Sequence, residues 1–336
     1  MSRFGACILD PSGLRLTAEE RAFFAEAAPF GFILFDRNID TPDQLRALCD
    51  ELRSAVGRRA PILIDQEGGR VQRLGPPHWR AWPPPLDHVA AAGAGARDAV
   101  YLRHRIIAHE LHAVGIDVDC APVVDVAGAQ THPFLRNRCY GTEPGSVAML
   151  GRAAAEGLLA GGVLPVLKHI PGHGRATADS HETLPSAEAG QDALTEVDFA
   201  PFHALNDLPL AMTGHVVYPT FDNLPATVSQ TMLRLIRDEI GFAGLVMTDD
   251  IAMGALQGAP TALARDALAA GCDVVLYCNA GLEDQRAVAE AAGALSNAAQ
   301  ARAESALAAR RTPDEVDISA LEARLEALTN GRADGD

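Results

Sequence analysis

The sequence is short of positive charge: 28 lysines and arginines stand against 44 aspartates and glutamates in 336 residues, a formal net charge of −16. That balance neutralises no run of phosphates, which argues against nucleic acid as a partner. It argues equally against an anionic membrane surface. Long hydrophobic runs are missing as well, so no stretch reaches bilayer-spanning length. No charged-then-apolar leader opens the chain, and a cytoplasmic location is expected. Six cysteines (Cys7, Cys49, Cys120, Cys139, Cys272, Cys278) lack CxxC spacing and mostly sit in apolar runs. They read as reduced core thiols rather than a disulfide framework. No low-complexity linker divides the chain, and "RAWPPPLD" (80–87) reads as a rigid loop inside one domain spanning 1–336.

What is present is a rhythm of short apolar runs. "ACILD" (6–10), "FGFILF" (30–35), "PILID" (61–65) and "IDVDCAPVVD" (116–125) are followed by "VLPVLKH" (163–169), "LAMTGH" (210–215), "GLVMTDD" (244–250) and "CDVVLYC" (272–278). Their continuity is the pattern of parallel strands covered on both faces. Helical spacing fills the intervals. Leu45, Leu48 and Leu52 mark 42–54, with Pro42 in its first turn, and Ile106, Ile107, Leu111 and Val114 mark 97–114. Met232, Leu233 and Ile236 mark 229–240 behind Ser229 as N-cap, and Leu321, Leu325 and Leu328 repeat the spacing in the tail. Eight runs in βα alternation predict an α/β fold, a (β/α)8 TIM barrel. A doubly wound sheet is the rival, but neither GxGxxG nor GxxxxGK[ST] follows any strand.

In such a barrel, catalytic groups gather at the C-terminal strand ends. Those ends carry Asp10, Asp65, Asp125, Lys168 with His169, His215, Asp249 with Asp250, and Asn279. Any one of them is an ordinary strand terminus. Acids or bases at nearly every end mark the barrel mouth as a candidate active site.

The segment "LKHIPGHGRATADSHETLP" (167–185) adds three histidines to that mouth in a stretch too broken by Pro and Gly to be helix or strand. A metal site, a catalytic loop and a polar surface loop all fit it. Within it, Asp179 stands two residues before His181, close enough to hold the imidazole tautomer and raise its basicity. The same spacing fits a solvated loop in which the two never meet. Asp249 would be delivered rigidly by its strand, as a nucleophile requires. Asp250 alternates to the other side, where it would cap a following helix in "IAMGAL". Lys168 and His169 would donate hydrogen bonds to a polar ligand. Asp65, Arg70, Arg73 and Arg138 add hydroxyl or carboxylate contacts, although long cationic side chains are usually surface solvation.

Four stretches then occur in a telling order: "IDQEGGRVQRL", "KHIPGHG…DSH", "MTGHVVYPTFDNLPATVS" and "VMTDDIAMGA". Together they resemble the family 3 glycoside hydrolases, and within them the single-domain bacterial β-N-acetylhexosaminidases, over roughly residues 5–285. The pairing of "KH-x-PGHG" with "DSH" is specific to the N-acetylglucosaminidase branch. The resemblance implies Asp249 as nucleophile, His181 as general acid/base and Asp179 as its partner. It implies Asp65, Arg73, Arg138, Lys168 and His169 as sugar-binding residues, with His173 and Gly174 shaping a mobile loop. The expected reaction is a retaining double displacement on terminal N-acetylglucosamine, using no cofactor and no metal. By the same analogy the substrate is a muropeptide of peptidoglycan recycling; a monomer is expected. Ile170, Gly214 and Ala252 depart from the residues common in the family, at positions of packing or loop hinge.

Three alternatives stay open. A neutral His181 beside the intermediate would admit phosphate, giving a phosphorylase on the same scaffold. His169, His173, His181, His215 and Asp249 are also metal-ligand types, as in a metal-dependent barrel hydrolase. A sugar-binding barrel without catalysis would need neither Asp249 nor the Asp179–His181 pair.

Overall fold

The computed structural model describes residues 3–176 and 184–330. All eight apolar runs become strands: β1 Gly5–Leu9, β2 Pro29–Leu34, β3 Ile62–Ile64, β4 Val118–Asp119, β5 Leu164–Ile170, β6 Leu210–Thr213, β7 Leu245–Asp250 and β8 Val274–Leu276. Each pairs in parallel with its neighbour in sequence, and β8 returns to β1, closing an eight-stranded barrel. An open doubly wound sheet would leave its outer strands unpaired; here Cys7 meets Val275 and Ile8 meets Leu276.

The continuity of the runs has a simple cause. Ile8, Leu63, Val118, Leu164, Val166, Leu210, Met212, Leu245, Met247, Val274 and Leu276 fill the barrel interior. Their neighbours Cys7, Leu9, Phe32, Leu34, Ile62, Ile64, Leu167, Ala211, Val246 and Val275 pack on the helices outside. Both parities of each strand are apolar because both faces are covered.

The expected helices form close to their predicted limits. Pro42–Val56 starts behind Thr41, whose hydroxyl accepts from Gln44 N, and stops at Gly57 with φ +63°. Ala96–Ala113 crosses from β3 to β4, and Gln230–Asp238 is capped by Ser229, which accepts from Met232 N at 3.1 Å. The tail spacing becomes helix Ile318–Asn330, with Leu325 buried. The stretch 80–87 is not all loop: its last three residues open helix Pro85–Ala92, with proline at the first turn where no amide donor is needed.

Several elements were not given limits in advance, and one of them closes the barrel. Helix Asn297–Ala308 presses Ala299, Ala303 and Ala306 into the interior cluster beside Leu295, closing the barrel floor opposite the strand C-termini. The small side chains allow that close approach, and they carried no periodic large-hydrophobe signal. On the upper face, Gln66–Gly68 and Val71–Gln72 form a short antiparallel ribbon. Among the described residues, no helix is long and apolar enough to cross a membrane.

Candidate active site

Strand parity decides which polar ends enter the barrel mouth. Counting two residues on from the inward Leu63, Val166 and Met247 gives Asp65, Lys168 and Asp249. All three line a cavity of about 390 Å³ at that face, with Arg73, Arg138, His169 and His173 on its walls. Phe35, Phe134, Met212 and Met253 supply apolar surface beside the charges. The mixture of convergent polar groups and apolar patches is what a small polar ligand with a nonpolar ring face requires.

One wall is a buried ion network. Lys168 Nζ lies 2.9 Å from Asp65 Oδ1 and 2.6 Å from Glu67 Oε1. Arg138 grips the same Glu67 two-pronged: Nε donates to Oε2 and Nη2 to Oε1, both at 2.8 Å. Burial works against the Glu67 charge, but Arg138 and Lys168 override it and hold the carboxyl at about 2. Burial likewise opposes the Lys168 ammonium, and Asp65 with Glu67 reverses that and raises it above the ordinary lysine value. Lys168 is the only lysine in the chain. The network leaves it a fixed cationic donor, not a nucleophile.

His169 is oriented from behind. Its Nδ1 lies 2.7 Å from Asp125 Oδ2, and Arg138 Nη2 stands 3.4 Å from its Nε2. Asp125 Oδ1 accepts from His173 N at 2.6 Å, tying the root of the 167–185 segment to the barrel rim. Burial and the nearby His169 push His173 down to about 4, so its ring is neutral at physiological pH. Gly174 fits where no other residue would, since a Cβ there would stand 1.9 Å from Val126 O.

Opposite this wall, Asp249 ends β7. Burial raises its carboxyl, but His215 and His169 outweigh burial and keep it below the ordinary aspartate value. Its Oδ1 accepts from Asp250 N at 2.8 Å. Asp250 also borders the cavity, and its Oδ1 accepts from Ala252 N at 3.0 Å and Cys278 N at 3.2 Å. It stabilises a turn and ties β7 to the end of β8, not the N-terminus of a helix as expected. His215 is engaged on both ring nitrogens, Nδ1 with Thr227 Oγ1 at 2.8 Å and Nε2 with the Asp250 carbonyl at 3.0 Å.

Of the residues anticipated from sequence, Asp65, Arg73, Arg138, Lys168, His169 and Asp249 converge on the one cavity. Asp179 and His181 lie outside the described residues. Asp10 is withdrawn from the mouth into an ion pair with Arg37, and its Oδ2 accepts from Asn279 N at 3.0 Å. Two partners were missed. Glu67 was not singled out, and Asp125 was noted only as a strand end. The "DQEGGR" turn, with one acid after a strand-end acid and facing basic residues elsewhere, was the available signal for Glu67.

The sequence matches the glycosyl hydrolase family 3 N terminal domain over residues 8–311. The chain belongs to glycosyl hydrolase family 3. Among its family 3 relatives, a beta-hexosaminidase of Alkalilimnicola ehrlichii is 39% identical over 285 residues, covering 82% of this chain and 81% of that one. A beta-hexosaminidase of Chromobacterium violaceum is 37% identical over 284 residues, covering 82% and 79%. Among solved structures, NagZ from Neisseria gonorrhoeae in complex with zinc ion superposes with a TM-score of 0.84 at 30% identity, covering 98% of both chains. A family 3 beta-N-acetylglucosaminidase from Paenibacillus sp. gives the same TM-score, 0.84, at 28% identity, covering 97% of this chain and 68% of that one.

Proposed function

We propose that this family 3 chain is a retaining β-N-acetylhexosaminidase that removes terminal N-acetylglucosamine from muropeptide fragments. The observation that carries the reading is Asp249: an ionised carboxylate on a rigid strand end, facing a cavity whose opposite wall offers a fixed array of hydroxyl partners. The names of its relatives support the sugar class.

In this reading Asp65, Arg73, Arg138, Lys168 and His169 hold the sugar, and Asp249 attacks the anomeric carbon. The C1–O bond breaks as a C1–Asp249 ester forms, and His181 gives its proton to the departing oxygen. His181, then neutral and steadied by Asp179, takes a proton from the water that cleaves the ester. A histidine in this role needs no carboxylic acid of raised pKa. Six buried thiols without disulfides support a reducing compartment, the cytoplasm, and the reading takes the chain as a monomer.

The test is hydrolysis of a chromogenic β-N-acetylglucosaminide by the wild type, Asp249→Ala and His181→Ala. The reading expects turnover abolished by the first change and strongly reduced by the second. Free N-acetylglucosamine as product, in phosphate buffer as in its absence, distinguishes hydrolysis from phosphorolysis. Turnover that survives Asp249→Ala would end the double-displacement reading.

A further inference from the structure

Behind the cavity wall, the turn bearing Glu67 is gripped from the helix layer. Arg103 stands on helix Ala96–Ala113, is only 1% exposed, and does not line the cavity. Its Nη2 donates to the Glu67 carbonyl at 2.5 Å and to the Pro83 carbonyl at 2.8 Å. Its guanidinium carbon lies 5.4 Å from the centre of the Trp82 ring. Among the described residues, Nε and Nη1 have no hydrogen-bond partner. A guanidinium held out of water in this way opposes folding. What it contributes must therefore be sought in what it holds.

The turn is shaped to receive it. Gly68 has φ +104°, and a Cβ there would stand 1.9 Å from Arg103 Nη2. From the other side, Asp119 Oδ1 accepts from Gln66 N at 3.1 Å. The Gln66 side chain then spans the ribbon, its Oε1 accepting from Arg73 N and Leu74 N, each at 3.0 Å. The backbone on either side of Glu67 is thus fixed at two points from outside the barrel.

That fixing matters because of what the Glu67 carboxylate must do. It receives two bonds from Arg138 and a third from Lys168, all between 2.6 and 2.8 Å. A fork-to-fork arrangement tolerates little slippage of the carboxylate. We propose that Arg103 is a positioning residue of this site, fixing the Glu67 backbone so that Glu67 in turn holds Lys168 and Arg138 in place for the sugar. The proposal rests on the sugar-binding reading of that wall. Arg103 itself touches no substrate.

The experiment uses two readouts, one independent of turnover. Arg103→Met is expected to raise KM for the chromogenic glycoside by about tenfold, with kcat changed less, and Arg103→Lys to recover part of the loss. Because Lys168 is the sole lysine, an amine-reactive ester followed by mass spectrometry reports on that one side chain. Its labelling in the folded protein should be several-fold faster in Arg103→Met than in wild type. Leu111→Ala empties a buried position on the same helix without touching Glu67, and should leave KM and Lys168 labelling unchanged. Adding Arg103→Met to Glu67→Gln should raise KM no further, since both act through one carboxylate.

A KM within about twofold of wild type together with intact Lys168 protection in Arg103→Met would overturn the proposal. So would equal effects from Leu111→Ala. Where Arg103→Met fails to fold, Arg103→Lys keeps the charge but loses the planar fork; because it adds a second lysine, its labelling is read on the peptide bearing Lys168 alone. A wild type without glycosidase turnover overturns the functional reading instead, and Lys168 labelling then decides the role of Arg103 by itself.

Discussion

Lys168 Nζ lies 2.6 Å from Glu67 Oε1, and both side chains are 2% exposed. Neither would be stable there alone, because each charge is out of water. Removing one member of a buried pair leaves the other uncompensated, at about 3–5 kcal/mol. In Glu67→Gln, Asp65 remains on Lys168, so a loss at the lower end of that range is expected. Thermal unfolding should fall by several degrees, and KM for the glycoside should rise at least about tenfold as Arg138 and Lys168 lose their shared anchor. An unchanged melting temperature and KM would mean that the network does not organise the sugar wall.

Asp249 makes a pH prediction. Its carboxyl is held below the ordinary aspartate value of 3.8, with burial opposing and His215 and His169 prevailing. A nucleophile must be ionised, so the acid limb of kcat/KM belonging to Asp249 should fall below that value. His215→Asn removes the leading favourable charge while keeping a polar side chain against Thr227. The limb should then move upward in pH, with the neutral-pH rate falling less than in Asp249→Ala. A limb that stays in place would show that His215 does not tune the carboxylate.

The barrel was legible because both faces of its strands are apolar, which leaves eight unbroken runs. The same alternation could have been carried further. Asp65, Lys168 and Asp249 share the inward parity of Leu63, Val166 and Met247, so their convergence was implicit in the count along each strand. The partners of Glu67 were not legible, because they come from β5 and from the Arg138 loop, 101 and 71 positions away. Arg103 was hidden more deeply: it sits in the periodic pattern of an outer helix, where a polar residue reads as solvent-facing. The floor helix escaped notice because alanines carry little periodic signal. The Asp179–His181 pairing was read from sequence, and those residues lie outside the ones described.

Chelation separates the glycosidase from a metal hydrolase. His215 has both ring nitrogens engaged, by Thr227 and the Asp250 carbonyl. His169 Nδ1 is taken by Asp125, and among the described residues no three of His, Cys, Asp and Glu are grouped to hold a metal ion. EDTA should leave turnover of the glycoside unchanged, and added zinc should not raise it. Activity lost to chelator and restored by metal would bring the hydrolase alternative forward.

Asp119 offers a stability test that does not depend on catalysis. Burial is the main cause of its high pKa, Asp65 and Glu67 add to it, and the Gln66 N–H and Lys168 only partly offset it, leaving the carboxyl at about 8. Its Oδ2 is buried without a hydrogen-bond partner among the described residues. The sign follows from linkage: the folded chain holds this proton more tightly than the unfolded chain, whose aspartate titrates near 3.8. Stability from this group is therefore full below the unfolded value and is lost as pH rises from there through about 8. Asparagine resembles the protonated acid in shape, still accepts from Gln66 N, and cannot ionise. Asp119→Asn should match wild type in melting temperature near pH 4 and exceed it by several degrees near pH 8, with the gap widening between. Melting curves across that range decide it. A difference that stays constant with pH would mean that Asp119 is already charged in the folded protein, and that the cations of the Glu67 wall reach further outward than their hydrogen bonds imply.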